Sequence, residues 1–107
     1  MKFDKLVRDK IPQILQEKNL EPTFYICDNK EYITRLKDKL KEEVNEFLND
    51  ETIEELADIL EVVYALSKYK GTTKEALEII RNKKAKKRGA FDQHIVLLEA
   101  KKGKTKP

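Results

Sequence analysis

Two amphipathic runs with almost nothing between them constrain this chain more than any other feature. Over YITRLKDKLKEEVNEFLN, the residues Ile33, Leu36, Leu40, Val44, Phe47 and Leu48 recur at i, i+3, i+4 spacing, the mark of a helix with one apolar stripe. Asp28 or Asn29 can cap its start, and Asn49-Asp50 is expected to break it. A second run, capped by Thr52 or by Asp50 before it, continues to about Lys70, where Gly71 stops it. So short a break forces the two helices to reverse and lie side by side, antiparallel. Composition agrees: 3 Gly and 3 Pro in 107 residues, with 40% charged residues, favour long helices over a turn-rich β fold.

The flanks add shorter elements. Val7, Ile11, Ile14 and Leu15 predict a short helix from Val7 to about Asn19, with Pro12 tolerable only in the first turn. Thr72, with Glu75 three residues on, opens a fourth helix, KEALEIIRNKKAKKR, which Gly89 ends. Two β-branched and aromatic stretches, TFYICD and FDQHIVLLEA, would pair as a short two-stranded antiparallel element. The expectation is a mainly α protein, a four-helix bundle with that small β addition. Residues 1–100 would form one domain and 101–107 a flexible basic tail.

Several functional classes recede at this point. Cys27 is the sole cysteine, so it has no intramolecular disulfide partner and reads as a buried or half-buried hydrophobe. His94, alone in an apolar stretch, reads as structural rather than catalytic. MKFDKLVRDK has no signal-peptide hydrophobic region, and no apolar run approaches the ~20 residues that span a bilayer. A cytoplasmic protein with no membrane partner is expected.

The segment Lys41 to Leu66 holds nine carboxylates against one lysine, and the helical projection sorts them. Glu42 falls opposite the stripe, in solvent. Glu43 lies on its flank, with Glu46 one turn on at the border. In the next helix Glu55 shares a row with Ile59, Val62 and Leu66, Asp58 sits between Val62 and Ala65, and Glu54 and Glu61 point outward. Two inward or border pairs, Glu43-x-x-Glu46 and Glu55-x-x-Asp58, therefore lie on helices that run side by side, where four carboxylates could converge. Like charges in a poorly solvated place repel, and a hard divalent cation removes that penalty. All-oxygen donors without His or Cys favour Mg²⁺ or Mn²⁺ over zinc. The competing reading is that these acids pair with Lys37 or Lys39 at the helix surface.

The charge balance is asymmetric: from Arg81 to Lys106 there are ten basic residues, with only Asp92 and Glu99 as acids. Lys84 and Arg88 lie one helical turn apart and can meet one phosphate tail, while Lys83, Lys86 and Lys87 read as solvated. Arg8 and Lys10 could also reach phosphate, or Arg8 or Asp9 could tie the N-terminus to a neighbouring helix.

The ordered set of motifs resembles a known superfamily. Glu43-x-x-Glu46 followed by Glu55-x-x-Asp58 is similar to the paired metal-binding motif of the MazG-like, all-α nucleoside triphosphate pyrophosphohydrolases, which include the phosphoribosyl-ATP pyrophosphohydrolases. KLVRDKIPQIL, Lys5 to Leu15, resembles the opening of the small house-cleaning branch. KKAKKRGAF, Lys83 to Phe91, resembles its Lys-x-x-x-Arg-Gly-Gly-Phe segment, with Ala90 in place of the second glycine. If that position needs positive φ, Ala90 would strain it.

The resemblance implies Mg²⁺-dependent cleavage between the α and β phosphates of a nucleoside triphosphate, giving the monophosphate and pyrophosphate. Glu43, Glu46, Glu55 and Asp58 would be metal ligands, either Glu43 or Glu46 would act as base for the attacking water, and Lys84 and Arg88 would bind phosphate. Two alternatives stand beside it: a phosphoribosyl-ATP pyrophosphohydrolase, and a non-enzymatic nucleic-acid-binding module built on the basic cluster, which leaves the inward acids unexplained. Homo-oligomerisation is a further expectation. Ile53, Leu56, Ile59, Leu60, Val62, Val63, Tyr64 and Leu66 cover more of their helix than one docking stripe requires, and the resembled family pairs in this way.

Overall fold

The structure, a computed structural model, describes residues 3–103. It is mainly helical, with α1 at Ile11–Glu17, α2 at Asn29–Asp50, α3 at Ile53–Tyr69 and α4 at Lys74–Arg88. The chain divides between Lys74 and Glu75 into two compact units.

Each helix boundary has a local cause. Pro12 sets the start of α1, because a helix begun at Val7 would place proline in its interior, where the missing N–H and the ring clash break the ladder. The helix accordingly starts at Ile11, whose N–H donates to the Arg8 carbonyl at 3.0 Å. Asp28 caps α2, its carboxylate accepting from the Glu31 N–H at 2.8 Å. Asn49 and Asp50 do not break α2 as the sequence suggested; the helix runs through both. It stops at Glu51, which takes a left-handed conformation at φ 54° while its N–H donates to the Phe47 carbonyl. Thr52 then caps α3, its hydroxyl accepting from Glu55 N–H at 3.2 Å.

Two residues, Glu51 and Thr52, thus join α2 to α3, and the helices pack as an antiparallel hairpin. Tyr32, near the start of α2, meets Tyr69, at the end of α3, edge to face with ring centroids 6.4 Å apart, as antiparallel packing requires. Gly71 at φ 83° closes α3 with paired bonds, its own N–H to the Lys68 carbonyl and Thr72 N–H to the Ser67 carbonyl. The hairpin's fully buried apolar residues are few: Leu36 is 2% exposed and Val62 8%. Each stabilises the fold by about 1.5–3 kcal/mol through burial. Cys27 is half-buried, as expected.

Helix α4 spans the stretch KEALEIIRNKKAKKR that the sequence marked out, its first residue Lys74 closing the first unit and the rest lying in the second, and Gly89 at φ 85° ends it, its N–H donating to the Ala85 carbonyl. The left-handed residue is Gly89 itself. Ala90 has no positive φ, so the substitution at that position introduces no strain.

The two-stranded element does not form; no strand occurs among the described residues. Residues 91–94 make a turn in which His94 is left-handed, at φ 58°, and its N–H approaches the Phe91 carbonyl at 3.5 Å. His94 therefore sits in a turn and not in an apolar strand. Phe24, Tyr25 and Ile26 are exposed, as are Ile95, Val96, Leu97 and Leu98. β-branched and aromatic content suits a strand locally, but the preference depends on a partner ladder and a buried face, and neither stretch has them. Of the expected tail, residues 104–107 lie outside the described residues. No helix among the described residues is long and apolar enough to cross a membrane.

Candidate metal centre

The acids of the hairpin part company once packed. Glu43, on α2, and Glu55 and Asp58, on α3, each bring a carboxylate oxygen to a common place, with the three oxygens within 4.8 Å of one another. Glu43 is buried and the other two are half-buried. Glu46, one turn beyond Glu43, is exposed and lies outside this group, although its charge is felt there. Glu54 and Glu61 are exposed, as the projection placed them.

Glu43 is the decisive side chain. It is 7% exposed, and its Oε1 pairs with Lys39 Nζ at 3.2 Å, so the lysine contact foreseen for the border acids is formed on one oxygen. Its Oε2 is buried with no hydrogen-bond partner among the described residues. An ionised oxygen withdrawn from water and left unpaired is strongly unfavourable, which marks a place for a cation or a donor.

Glu55 senses the whole cluster. Loss of water raises its carboxyl above the usual glutamate range, and the charges of Glu46, Asp50, Asp58 and Glu43 push it further the same way. Asp50 was read from the sequence only as a helix breaker or cap, not as a member of the acidic group. It stands one turn beyond Glu46 on α2, and that spacing alone could have placed it with the other acids at this end of the hairpin.

Glu42 departs from its expected place in solvent. It is half-buried, accepting from Lys5 Nζ at 2.8 Å and Lys39 Nζ at 3.2 Å. Burial opposes its ionisation, but the hydrogen bonds from Lys5 and then Lys39 outweigh that and hold the carboxyl below the usual range. The projection treated α2 as bare on that side, whereas the N-terminal segment supplies Lys5 from 37 positions away. Arg8 likewise reaches α3, donating from Nη2 to Asp58 Oδ1 at 2.7 Å. Of the two roles open to Arg8, the tie to a neighbouring helix is the one formed.

Lys84 and Arg88 both stand on α4, four residues apart and exposed. Lys83, Lys86 and Lys87 are exposed as well.

Comparison with protein-family models, with curated proteins and with solved structures found no match. The functional reading therefore rests on the residues, their geometry and the resemblance of the sequence motifs.

Proposed function

We propose that the chain is a divalent-cation-dependent nucleoside triphosphate pyrophosphohydrolase of the MazG-like kind, cleaving between the α and β phosphates to give a nucleoside monophosphate and pyrophosphate. The observation that carries this reading is the convergence of Glu43, Glu55 and Asp58, in a group where Glu43 is buried and its Oε2 has no hydrogen-bond partner among the described residues. An all-carboxylate donor set fits a hard cation of the Mg²⁺ or Mn²⁺ type, and the resemblance of the ordered motifs to those of that superfamily suggests the reaction class. When bound, such a cation neutralises phosphate charge and lowers the pKa of a coordinated water.

The chain's own groups have distinct parts in this reading. Glu43, Glu55 and Asp58 hold the cation, with Glu46 completing the set from its exposed position. Glu43 or Glu46 takes the proton from the attacking water. Lys84 and Arg88 bind the phosphates, Arg88 through its planar fork and Lys84 as a point charge.

The working form is a homo-oligomer, at least a dimer. Ile53, Leu56 and Leu60 on α3, and Leu48 on α2, are exposed large apolar residues beside a core whose fully buried apolar members are Leu36 and Val62 among the described residues. A second copy covering such faces would bury them at about 1.5–3 kcal/mol per side chain.

A pyrophosphate-release screen over standard and modified nucleoside triphosphates, with and without Mg²⁺, tests the activity. Equal yields of monophosphate and pyrophosphate, dependent on Mg²⁺, are expected. Release of orthophosphate, or metal-independent turnover, would exclude the assignment.

A further inference from the structure

The N-terminal segment is fastened to the helical hairpin by three separate ion pairs. Arg35 donates to both the carbonyl and the carboxylate of Asp4, each at 2.9 Å, and the same guanidinium bonds Glu31 and the Tyr25 hydroxyl. Lys5 pairs with Glu42 at 2.8 Å. Arg8 pairs with Asp58 at 2.7 Å. The first two contacts use residues outside the convergent acids. The third lies on one of them.

That difference matters for what Arg8 can do. Three carboxylates gathered within 4.8 Å repel one another, and a guanidinium at Asp58 offsets part of that repulsion. The contact is nonetheless weakly held: Arg8 is 54% and Asp58 38% exposed at the side chain, and exposed pairs add little to stability. A divalent ion meeting several carboxylates at once would outbid a singly charged group with one contact.

We infer that Arg8 is a built-in counter-cation for the acidic centre, competing with the divalent ion for Asp58, so that metal entry frees the Arg8 end of the N-terminal strap while the Asp4 and Lys5 ties remain. This rests on the proposed reading of Glu43, Glu55 and Asp58 as a cation site. It also gives the KLVRDK segment a part in regulating that site: the strap reports whether the ion is present.

Mn²⁺ titration of the full chain, with free ion followed by electron paramagnetic resonance at physiological salt, tests this directly. Arg8→Gln should bind Mn²⁺ about 2- to 5-fold more tightly, the range set by the small worth of an exposed ion pair. Arg8→Lys should stay near wild type. Lys5→Gln removes the same charge from a residue that bonds Glu42 and meets Glu43 and Glu46 only through space, so it should change affinity less than Arg8→Gln does. Unchanged or weaker binding by Arg8→Gln, or equal tightening by Lys5→Gln, would overturn the inference while leaving the cation site standing. Wild type that binds no Mn²⁺ at millimolar concentration, or Asp58→Asn that binds as well as wild type, would overturn the site and the inference together. A readout free of mutation is the arginine side-chain Nε–H signal in nuclear magnetic resonance. Saturating Mg²⁺ should move that of Arg8 toward a free arginine and leave that of Arg35 in place; an unmoved Arg8 signal in the metal-bound chain rejects the competition.

Discussion

Helix α4 closes with Lys83, Lys84, Lys86, Lys87 and Arg88, every one of them exposed, whereas the inner edge of the α2–α3 hairpin holds Glu43, Glu55 and Asp58, every one at least half-buried. Both regions are dense in like charge. They differ in how much water they keep. On α4 the exposed charges retain their hydration and their repulsion is screened, so the run is tolerated. In the hairpin, packing strips water from the acids, leaves one Glu43 oxygen unpaired and lifts the Glu55 carboxyl. Charge density alone does not make a site; withdrawal of solvent from a few of the charges does.

Substitution can break that contrast. The largest effect should come from Glu43→Gln, which keeps the shape and removes the buried charge: kcat/KM for pyrophosphate release should fall at least about 100-fold. Glu54→Gln, at an exposed position on α3, should remain near wild type. Comparable losses in both would show that burial does not separate the acids. Glu42→Gln is not a silent control, because it removes the negative charge from two lysine ion pairs.

Next in size is Leu36→Ala, expected to destabilise by about 2–5 kcal/mol in urea unfolding, since this side chain sits at the centre of the hairpin's small core. Leu98→Ala, at an exposed position, should stay within about 0.5 kcal/mol. A large loss at Leu98 would mean that its surface is covered in solution and would strengthen the case for an oligomer.

Arg88→Lys should lower kcat/KM about 10-fold by replacing a bidentate fork with a point charge, and Lys87→Ala should change it less than about 2-fold. Equal effects would return the whole basic run to a solvated surface.

The smallest effect is a pH dependence of opposite sign at two acids of the hairpin. The raised carboxyl of Glu55 means that the folded state holds its proton more tightly than the unfolded one. Metal-free stability should therefore fall as pH rises from the ordinary glutamate value, about 4.3, through the higher folded value. Glu55→Gln should flatten that slope, and saturating Mg²⁺ should reverse it. Glu42, lowered in the folded state, contributes stability above the ordinary value and loses it as pH falls through the folded one. Thermal melts from pH 3 to 8, with and without Mg²⁺, would show both slopes.

Much of this contrast was legible in the sequence, and the illegible part has a common origin. The burial of Glu43 follows from 100° steps around one helix, and the caps at Asp28 and Thr52 and the stops at Gly71 and Gly89 follow from side-chain and backbone chemistry a few residues wide. Lys5 on Glu42 and Arg8 on Asp58 span 37 and 50 positions, and no periodicity within one element encodes such meetings. The unformed strands fail for the same reason: TFYICD carries the local preference, but pairing depends on what the rest of the chain brings beside it. The stop of α2 was missed by two residues because Glu51, with no glycine to advertise it, adopts the left-handed turn.

That turn has a consequence for how the acidic centre is specified. With only Glu51 and Thr52 between the helices, the connection acts as a phase setting. One inserted residue that prolonged α3 at its start would rotate Glu55 and Asp58 by about 100° relative to the hairpin seam and shift them by about 1.5 Å, swinging both off the side that meets Glu43. The coordinates of the centre are thus stored as much in a count of backbone atoms as in the identity of its carboxylates, and deletion of Thr52 alone would erase it without touching a single acid.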